Sequence, residues 1–359
     1  MAEAEGTRFP AGTIEAQISA ILAAWGMAEE HVAITTRIML AADLRGIDSH
    51  GLAMLPLYEE HLRNGKITMR PQIRVVRESP VTALIDGGGG LGHVPSDLAM
   101  RTAIDKAKRA GLAAVGVRNS AHYGAAGIYA LMAAQEGLIG LSTTAVWKPS
   151  VVPTFAAEPM FGTNPIAFAA PAGRYPPFVL DMATSTVAIG KLKIATFAGK
   201  PLPLGWVVDA EGKPVTDPHE ALRIRSMTPL GGTPEMSSHK GYGLGAMVEI
   251  LSTTLTGAAF APLRQARDPD AARHDVGQFF MAIDPKAFRD EGEFEADLDE
   301  MIDALHAARR ADPDQPVLVA GEPEERAVAE RAAVGIPVPD TLRAIVAGIA
   351  RRAGAAMLL

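Results

Sequence analysis

A run of glycines, Gly87 to Gly92 interrupted only by Leu91, stands between a β-rich segment and a helical one, and it limits the fold more than any other feature of the chain. Upstream, Ile73–Arg77 and Val81–Asp86 are short β-rich runs separated by Ser79-Pro80, a hairpin-like signal. Downstream, the pattern predicts a helix from about Pro95 to Ala110 and then a strand from Ala113 to Arg118. Strand, tight turn, helix and strand in that order predict an α/β body. The spacing Gly87-x-Gly89-x-x-Gly92 also matches a dinucleotide fingerprint, which needs an acidic residue roughly 20 residues on, at the end of the next strand. That strand ends in Arg118-Asn119-Ser120, without a carboxylate. Four consecutive glycines satisfy almost any spacing, so a turn that merely feeds the helix explains the run as well.

The N-terminal region reads as helical. Ile14, Ile18, Leu22 and Trp25 recur at helical spacing before Gly26, a second helix covers Glu30–Ala42, and a third covers Tyr58–Leu62 and stops near Asn64-Gly65. Beyond Ser120, strands are expected at Leu138–Thr144, Ile166–Ala170, Phe178–Asp181 and Gln278–Ile283, with another at Val317–Ala320. Gly199–Pro218 reads as a long loop or hairpin. Leu244, Met247, Val248, Leu251 and Leu255 mark a strong amphipathic helix that opens after His239-Lys240-Gly241. The charged segment Arg264–Asp275 reads as a mobile, solvated loop. Helices are expected around Leu298–Leu305 and after Asp340.

With 359 residues the chain has room for two or three domains. A net charge of −7 without any basic stripe argues against nucleic acid as a partner. No apolar run approaches the ~20 residues that span a bilayer, and Met1–Pro10 lacks the apolar core of a signal peptide, so a cytoplasmic protein without membrane partners is expected. The absence of cysteine removes thiolate nucleophiles and zinc-thiolate sites. With no His-x-x-x-His and no dense carboxylate cluster, no metal site is expected.

Two histidine stretches carry the candidate chemistry. In Gly46-Ile47-Asp48-Ser49-His50-Gly51 an acid, a hydroxyl and an imidazole follow a helix exit. The spacing departs from a Gly-x-Ser-x-Gly elbow, and neighbouring side chains rarely face each other, so His50 is not expected to serve Ser49 as a base; a capping turn explains the stretch equally. In Asn119-Ser120-Ala121-His122-Tyr123-Gly124 the histidine follows a strand. An imidazole with an unperturbed pKa near ~6.5 suits a general acid or base there, and equally a hydrogen bond to a backbone carbonyl. Gly162-Thr163-Asn164-Pro165 and Asp181–Ser185 are small polar turns, suited to phosphate or ribose and equally to ordinary Asx turns.

Taken in order, Gly46–Gly51, Asn119–Gly124, Phe161-Gly162-Thr163-Asn164-Pro165, Asp181-Met182-Ala183-Thr184-Ser185 and Lys240-Gly241-Tyr242-Gly243-Leu244 resemble the motifs of the malate/L-lactate dehydrogenase family, over about residues 14–342. This is the non-Rossmann group of NAD(P)-dependent oxidoreductases, and it includes ureidoglycolate, sulfolactate and diketogulonate enzymes and cyclic-imine reductases. The resemblance implies an α/β (α+β) fold with discontinuous domains and an inserted cofactor-binding domain. Its expected parts are an N-terminal helical region over 1–72, a body over 73–120 plus 276–335, the cofactor-binding insert over 121–275, and a C-terminal helix over 336–359. A homodimer is implied, and so is a structural role for the glycine run.

By the same resemblance, NAD or NADP lies along His122, Thr163, Asn164, Pro165, Asp181, Met182, Ala183, Thr184, Ser185, His239, Lys240, Gly321, Glu322 and Pro323. His122 or His50 exchanges the proton, Ser49 orients the substrate and Lys148 polarises the reacting group. Asp48, Met54, Tyr58 and Ser120 line the substrate pocket. The implied reaction interconverts a 2-hydroxy acid and a 2-oxo acid. Reduction of a cyclic imine carboxylate is the nearest alternative, and a Ser/His hydrolase built on Ser49 the alternative of another class. Many relatives carry an arginine where this chain has Met54, and methionine cannot clamp a carboxylate. Arg118, or an arginine of 264–273, is expected to take over if the substrate keeps that carboxylate.

Overall fold

The computed structural model describes residues 6–267 and 273–359; Met1–Glu5 and the 268–272 part of the charged segment lie outside the described residues. In chain order the elements are β1 (Thr7–Phe9), α1 (Ala11–Ala24), α2 (Glu29–Leu44), α3 (Leu55–Arg63), β2 (Arg74–Glu78), β3 (Thr82–Asp86), α4 (His93–Ala110), β4 (Leu112–Ser120), α5 (Ala126–Gln135) and β5 (Ile139–Thr144). There follow β6 (Ile166–Ala170), β7 (Phe178–Met182), α6 (Ile189–Ala198), α7 (Pro218–Ile224), α8 (Ser238–Glu249), α9 (Ala261–Arg267), β8 (Val276–Ile283), α10 (Glu293–His306), α11 (Glu322–Val334), β9 (Ile336–Val338) and α12 (Asp340–Ala353).

Seven strands form one mixed sheet in the order β2-β3-β4-β8-β5-β6-β7. The β2–β3 hairpin is present, and β3 and β4 are parallel neighbours joined through α4. Strand β8 returns from late in the chain to lie antiparallel between β4 and β5, so the sheet runs on across residues 120 and 121. Alternate residues of β4 (Ala113, Val115, Val117) are buried under α4, and alanines of α5 and β6 complete this core. A second core joins α1, α2, α3 and α12 through Ile14, Leu22, Met39, Tyr58, Val346 and Ile349. Strands β1 and β9 pair antiparallel and tie the two ends of the chain together.

Two expectations need correction. Helices α5, α6 and α7 occur where mainly turns and strands were anticipated, and α9 covers the start of the charged segment. Val317–Ala320 forms no strand; the turn before α11 sits there instead. The apolar stripe of α8 divides between core and surface. Gly241, Gly245 and Val248 are buried, whereas Met247, Ile250 and Leu255 are exposed, the last two at 58% and 62%. Close approach to the sheet is the cause. A Cβ on Gly277 of β8 would lie 1.7 Å from the carbonyl oxygen of Ser252, so only small and hydroxyl residues fit on that side. Ser252, Thr253 and Thr256 occupy it, in a π-helical turn over Ile250–Thr254 and just beyond.

The glycine run stitches loops together. Its amides at Gly87, Gly89 and Gly92 donate to the carbonyls of Arg118, Asn119 and His122. His93 to Asp97 at the start of α4 are buried, which leaves no room there for a pyrophosphate. Among the described residues, no helix is long and apolar enough to cross a membrane.

Candidate active site

The turn that carries Asp48, Ser49 and His50 is a single 3-10 turn held from beneath. Asp43, near the end of α2, accepts a hydrogen bond from the Leu52 amide at 2.8 Å. A side chain on Gly51 would collide with that carboxyl group, since an added Cβ lies 1.9 Å from its Oδ1. Burial raises the Asp43 carboxyl to about pH 8, and the nearby Asp48 charge adds to the shift. From the side, Arg331 of α11 grips Asp48 through both terminal nitrogens and also donates to the Asp43 carbonyl. Asp48 thus helps to hold the turn.

His50 and His122 are brought face to face. Their rings stack with centroids 5.5 Å apart at 27°. Ser49 Oγ lies 2.8 Å from Nδ1 of His50, so the expectation that neighbours in sequence would not meet is corrected; the tight turn brings them together. A hydrolase triad is still incomplete, because Asp48 belongs to Arg331 and Asp43 to Leu52.

Behind His122 lies Tyr58, buried on α3, with its hydroxyl 2.8 Å from Nδ1. Beyond Tyr58, fully buried His93 places Nε2 3.5 Å from the same hydroxyl. Tyr58 and His61 sit three residues apart and so share one helix face. His61 packs edge-on against His274 at 4.5 Å and against Trp147 at 5.0 Å, and Trp147 in turn stands 6.4 Å from His122. Burial holds the imidazoles of His50, His61, His93, His122 and His274 below the usual range, His93 and His274 to about 3; the charges of His50, His93 and His61 push His122 further the same way. His122 therefore rests neutral near pH 7.

The other expected pocket residues fare unevenly. Ser120 is fully buried under Gly87, and Met54, 9% exposed, packs into the N-terminal core. Lys148 is exposed next to Trp147. Of the arginines considered as clamps, Arg118 reaches Gly257, Arg264 pairs with Asp275 at 3.5 Å, and Arg273 lies over Gly89.

The expected cofactor motifs converge through backbone bonds. The Thr184 amide donates to the Thr163 carbonyl at 2.8 Å, and Thr184 Oγ1 lies about as close to the Asn164 carbonyl. Gly245 of α8 packs against the same Oγ1. Asn164, with φ of 37°, sends its amide into α8, to the Gly245 carbonyl and to Glu249 at 2.8 Å. It is a strut and not an open contact. Ser185 likewise turns inward to the Val187 carbonyl. Asp181 accepts from the Gly127 amide at 2.7 Å at the start of α5, and Met182 and Ala183 follow it half-buried. Gly321 closes the far end against Val179, while Glu322 is occupied by His306 at 2.7 Å and Pro323 is exposed. His239 and Lys240 stand exposed in the first turn of α8. Asp43, His61, His93, Trp147, His274 and Arg331 went unremarked as site residues in the sequence; the shared face of Tyr58 and His61 was the one available signal.

Comparison with known proteins identifies the family of the chain. The profile of the malate/L-lactate dehydrogenase family matches residues 9–346. A malate dehydrogenase of Pyrococcus abyssi is 39% identical over 97% of this chain and 95% of its own length. An L-sulfolactate dehydrogenase of Methanothermobacter thermautotrophicus is 40% identical over 93% of this chain and 94% of its own. The crystal structure of malate dehydrogenase from Entamoeba histolytica superposes with a TM-score of 0.93 at 32% identity, covering 98% of this chain and 99% of that one. The chain belongs to the malate/L-lactate dehydrogenase family, and with it to the nicotinamide-dependent oxidoreductases that act on CH–OH groups.

Proposed function

We propose that the protein interconverts a 2-hydroxy acid and its 2-oxo acid, with His122 as the acid–base group. The observation that carries this reading is the half-buried, neutral imidazole of His122, whose Nδ1 is held by Tyr58 at 2.8 Å and whose ring stacks on His50. Removing hydride from a carbon requires its hydroxyl to lose a proton, and a positioned base of this kind contributes about 10²–10⁴ in rate. His50, stacked alongside, excludes water and presents Ser49 to the substrate. Lys148 supplies a donor for the developing alkoxide.

A nicotinamide dinucleotide, NAD or NADP, would supply the hydride acceptor. The residues present suit it. Asp181, Met182 and Ala183 form a floor along β7, and the exposed His239 and Lys240 offer hydrogen-bond donors, with the Lys240 charge, for a pyrophosphate. On this reading 121–275 is the cofactor-binding part, set against a body of 73–120 plus 276–335 with the end segments 1–72 and 336–359 packed together. A homodimer is supported by the outward apolar row Tyr242, Met247, Ile250 and Leu255, too large a patch to leave in water.

Fluorescence titration with NADH and NADPH, followed by a panel of 2-oxo acids and cyclic imine carboxylates with each reduced cofactor, tests the proposal. Turnover of 2-oxo acids is expected; absence of cofactor binding, or turnover of imines alone, would overturn it.

A further inference from the structure

Beyond His122 the structure holds a second, deeper histidine that the reaction does not touch. His93 is fully buried at the start of α4, 3.5 Å from the Tyr58 hydroxyl, and its Nδ1 has no hydrogen-bond partner. The Tyr58 hydroxyl thus stands between two imidazoles, at 2.8 Å from Nδ1 of His122 and at the longer distance from Nε2 of His93. A hydroxyl has one proton to give. Where that proton points decides which nitrogen of His122 carries its own.

If Tyr58 donates to His122, Nδ1 is an acceptor and the proton of the neutral ring sits on Nε2. That nitrogen cannot then take a proton from a hydroxy acid. If Tyr58 donates to His93 instead, its oxygen is free to accept from Nδ1–H of His122, and Nε2 carries a lone pair. The second wiring also holds once Nε2 has been protonated, so the proton moves only at Nε2 and nothing behind it must rearrange. One contact opposes it: the Gly124 amide lies 3.3 Å from Nδ1 of His122 and favours an acceptor there. No other polar group fixes the far side of His93, so its ring is free to adopt the tautomer that receives the Tyr58 proton.

We propose that Tyr58 and His93 are positioning residues that set the tautomer of His122, with Nδ1–H of His122 donating to Tyr58 and the Tyr58 hydroxyl donating to Nε2 of His93. The inference rests on His122 being the acid–base group. Its test is read on the protein itself and in kinetics.

With histidines labelled in ¹⁵N, long-range proton–nitrogen correlation at pH 8 should find the His122 proton on Nδ1 in the unmodified chain and on Nε2 in the Y58F variant, where the Gly124 amide is the remaining partner. Y58F and H93L should each lower kcat by about a hundredfold, less than removal of the base itself, with substrate KM within about twofold. The kcat/KM profile for alcohol oxidation should shift to lower pH in Y58F, because imidazolium loses an acceptor. H93Q should restore most of the rate, since its side-chain carbonyl accepts the Tyr58 proton. A proton on Nε2 in the unmodified chain, or unchanged rates in both Y58F and H93L, would overturn the proposal. Should H93L fail to fold, the nitrogen spectra and the rates of Y58F and H93Q decide it. Full activity in H122N would instead overturn the acid–base reading, while leaving the tautomer measurement standing.

Discussion

The two walls of the site are built by opposite means. On the N-terminal side the wall is dry behind its face: fully buried Tyr58 and His93 lie behind half-buried His50 and His122, underpinned by buried Asp43 and by Arg331. On the other side the backbone is stitched tightly at Thr163, Thr184 and Gly245, while the groups offered outward, His239, Lys240 and Pro323, stand in water. A dry wall shifts pKa values and fixes ring orientation, as proton transfer demands. A wet wall can bind charge and release it, as a cofactor that must leave after each turnover demands. The difference teaches that a residue's motif says less about its task than whether its polar atoms are already taken.

That contrast can be broken by substitution. The largest effect is expected on the dry wall, where H122N should lower kcat by about a thousandfold with KM little changed, and H50N by less. The reverse ranking in steady-state kinetics would move the proton to His50. Next, I250E or L255E on the outward face of α8 should halve the mass seen by light scattering, since a charge there cannot be covered by a second copy. An unchanged mass would put the interface elsewhere. On the wet wall, K240A should raise the cofactor KM about tenfold and leave kcat nearly intact, in line with a lost charge-assisted contact to phosphate. An effect on kcat alone would place Lys240 at the chemistry.

The smallest effect concerns pH. Asp43 stays protonated in the folded protein up to about 8, against 3.8 for its ordinary value, so the folded state holds a proton that the unfolded chain has released. Stability must therefore fall as pH rises through that window. The buried histidines act in the other direction, since the unfolded chain takes up their protons as pH falls below about 6.5. D43N keeps an acceptor for the Leu52 amide and removes the alkaline loss. Its thermal midpoint should hold between pH 6 and pH 9 while that of the parent drops; parallel curves would show that Asp43 is ionised throughout.

Much of the scaffold was legible in the sequence because its signals are local. The hairpin of β2 and β3, the helix after the glycine run and strands β5 to β7 all follow from runs of a few residues. Both histidine stretches were recognisable as site material for the same reason. What escaped depends on partners far along the chain. Arg331 reaches Asp48 across 283 positions, and nothing near either residue announces the pair. The split of the α8 stripe between core and surface also escaped, because amphipathicity reports that one face is apolar, not that all of it meets the chain's own core. The glycine run matched a dinucleotide fingerprint in spacing but lacked its acidic partner, and its amides are bonded to Arg118, Asn119 and His122.

The last helix has a consequence for how the site is held together. Helix α12 packs on α1 and α3, Arg352 forks onto Glu59 beside Tyr58 at 2.8 and 2.6 Å, and Gln17 binds the backbone at Ala356 and Leu358. The wall bearing Tyr58 is thus braced through Glu59 by a residue 293 positions away in the chain, and R352A should loosen it without touching the histidines themselves.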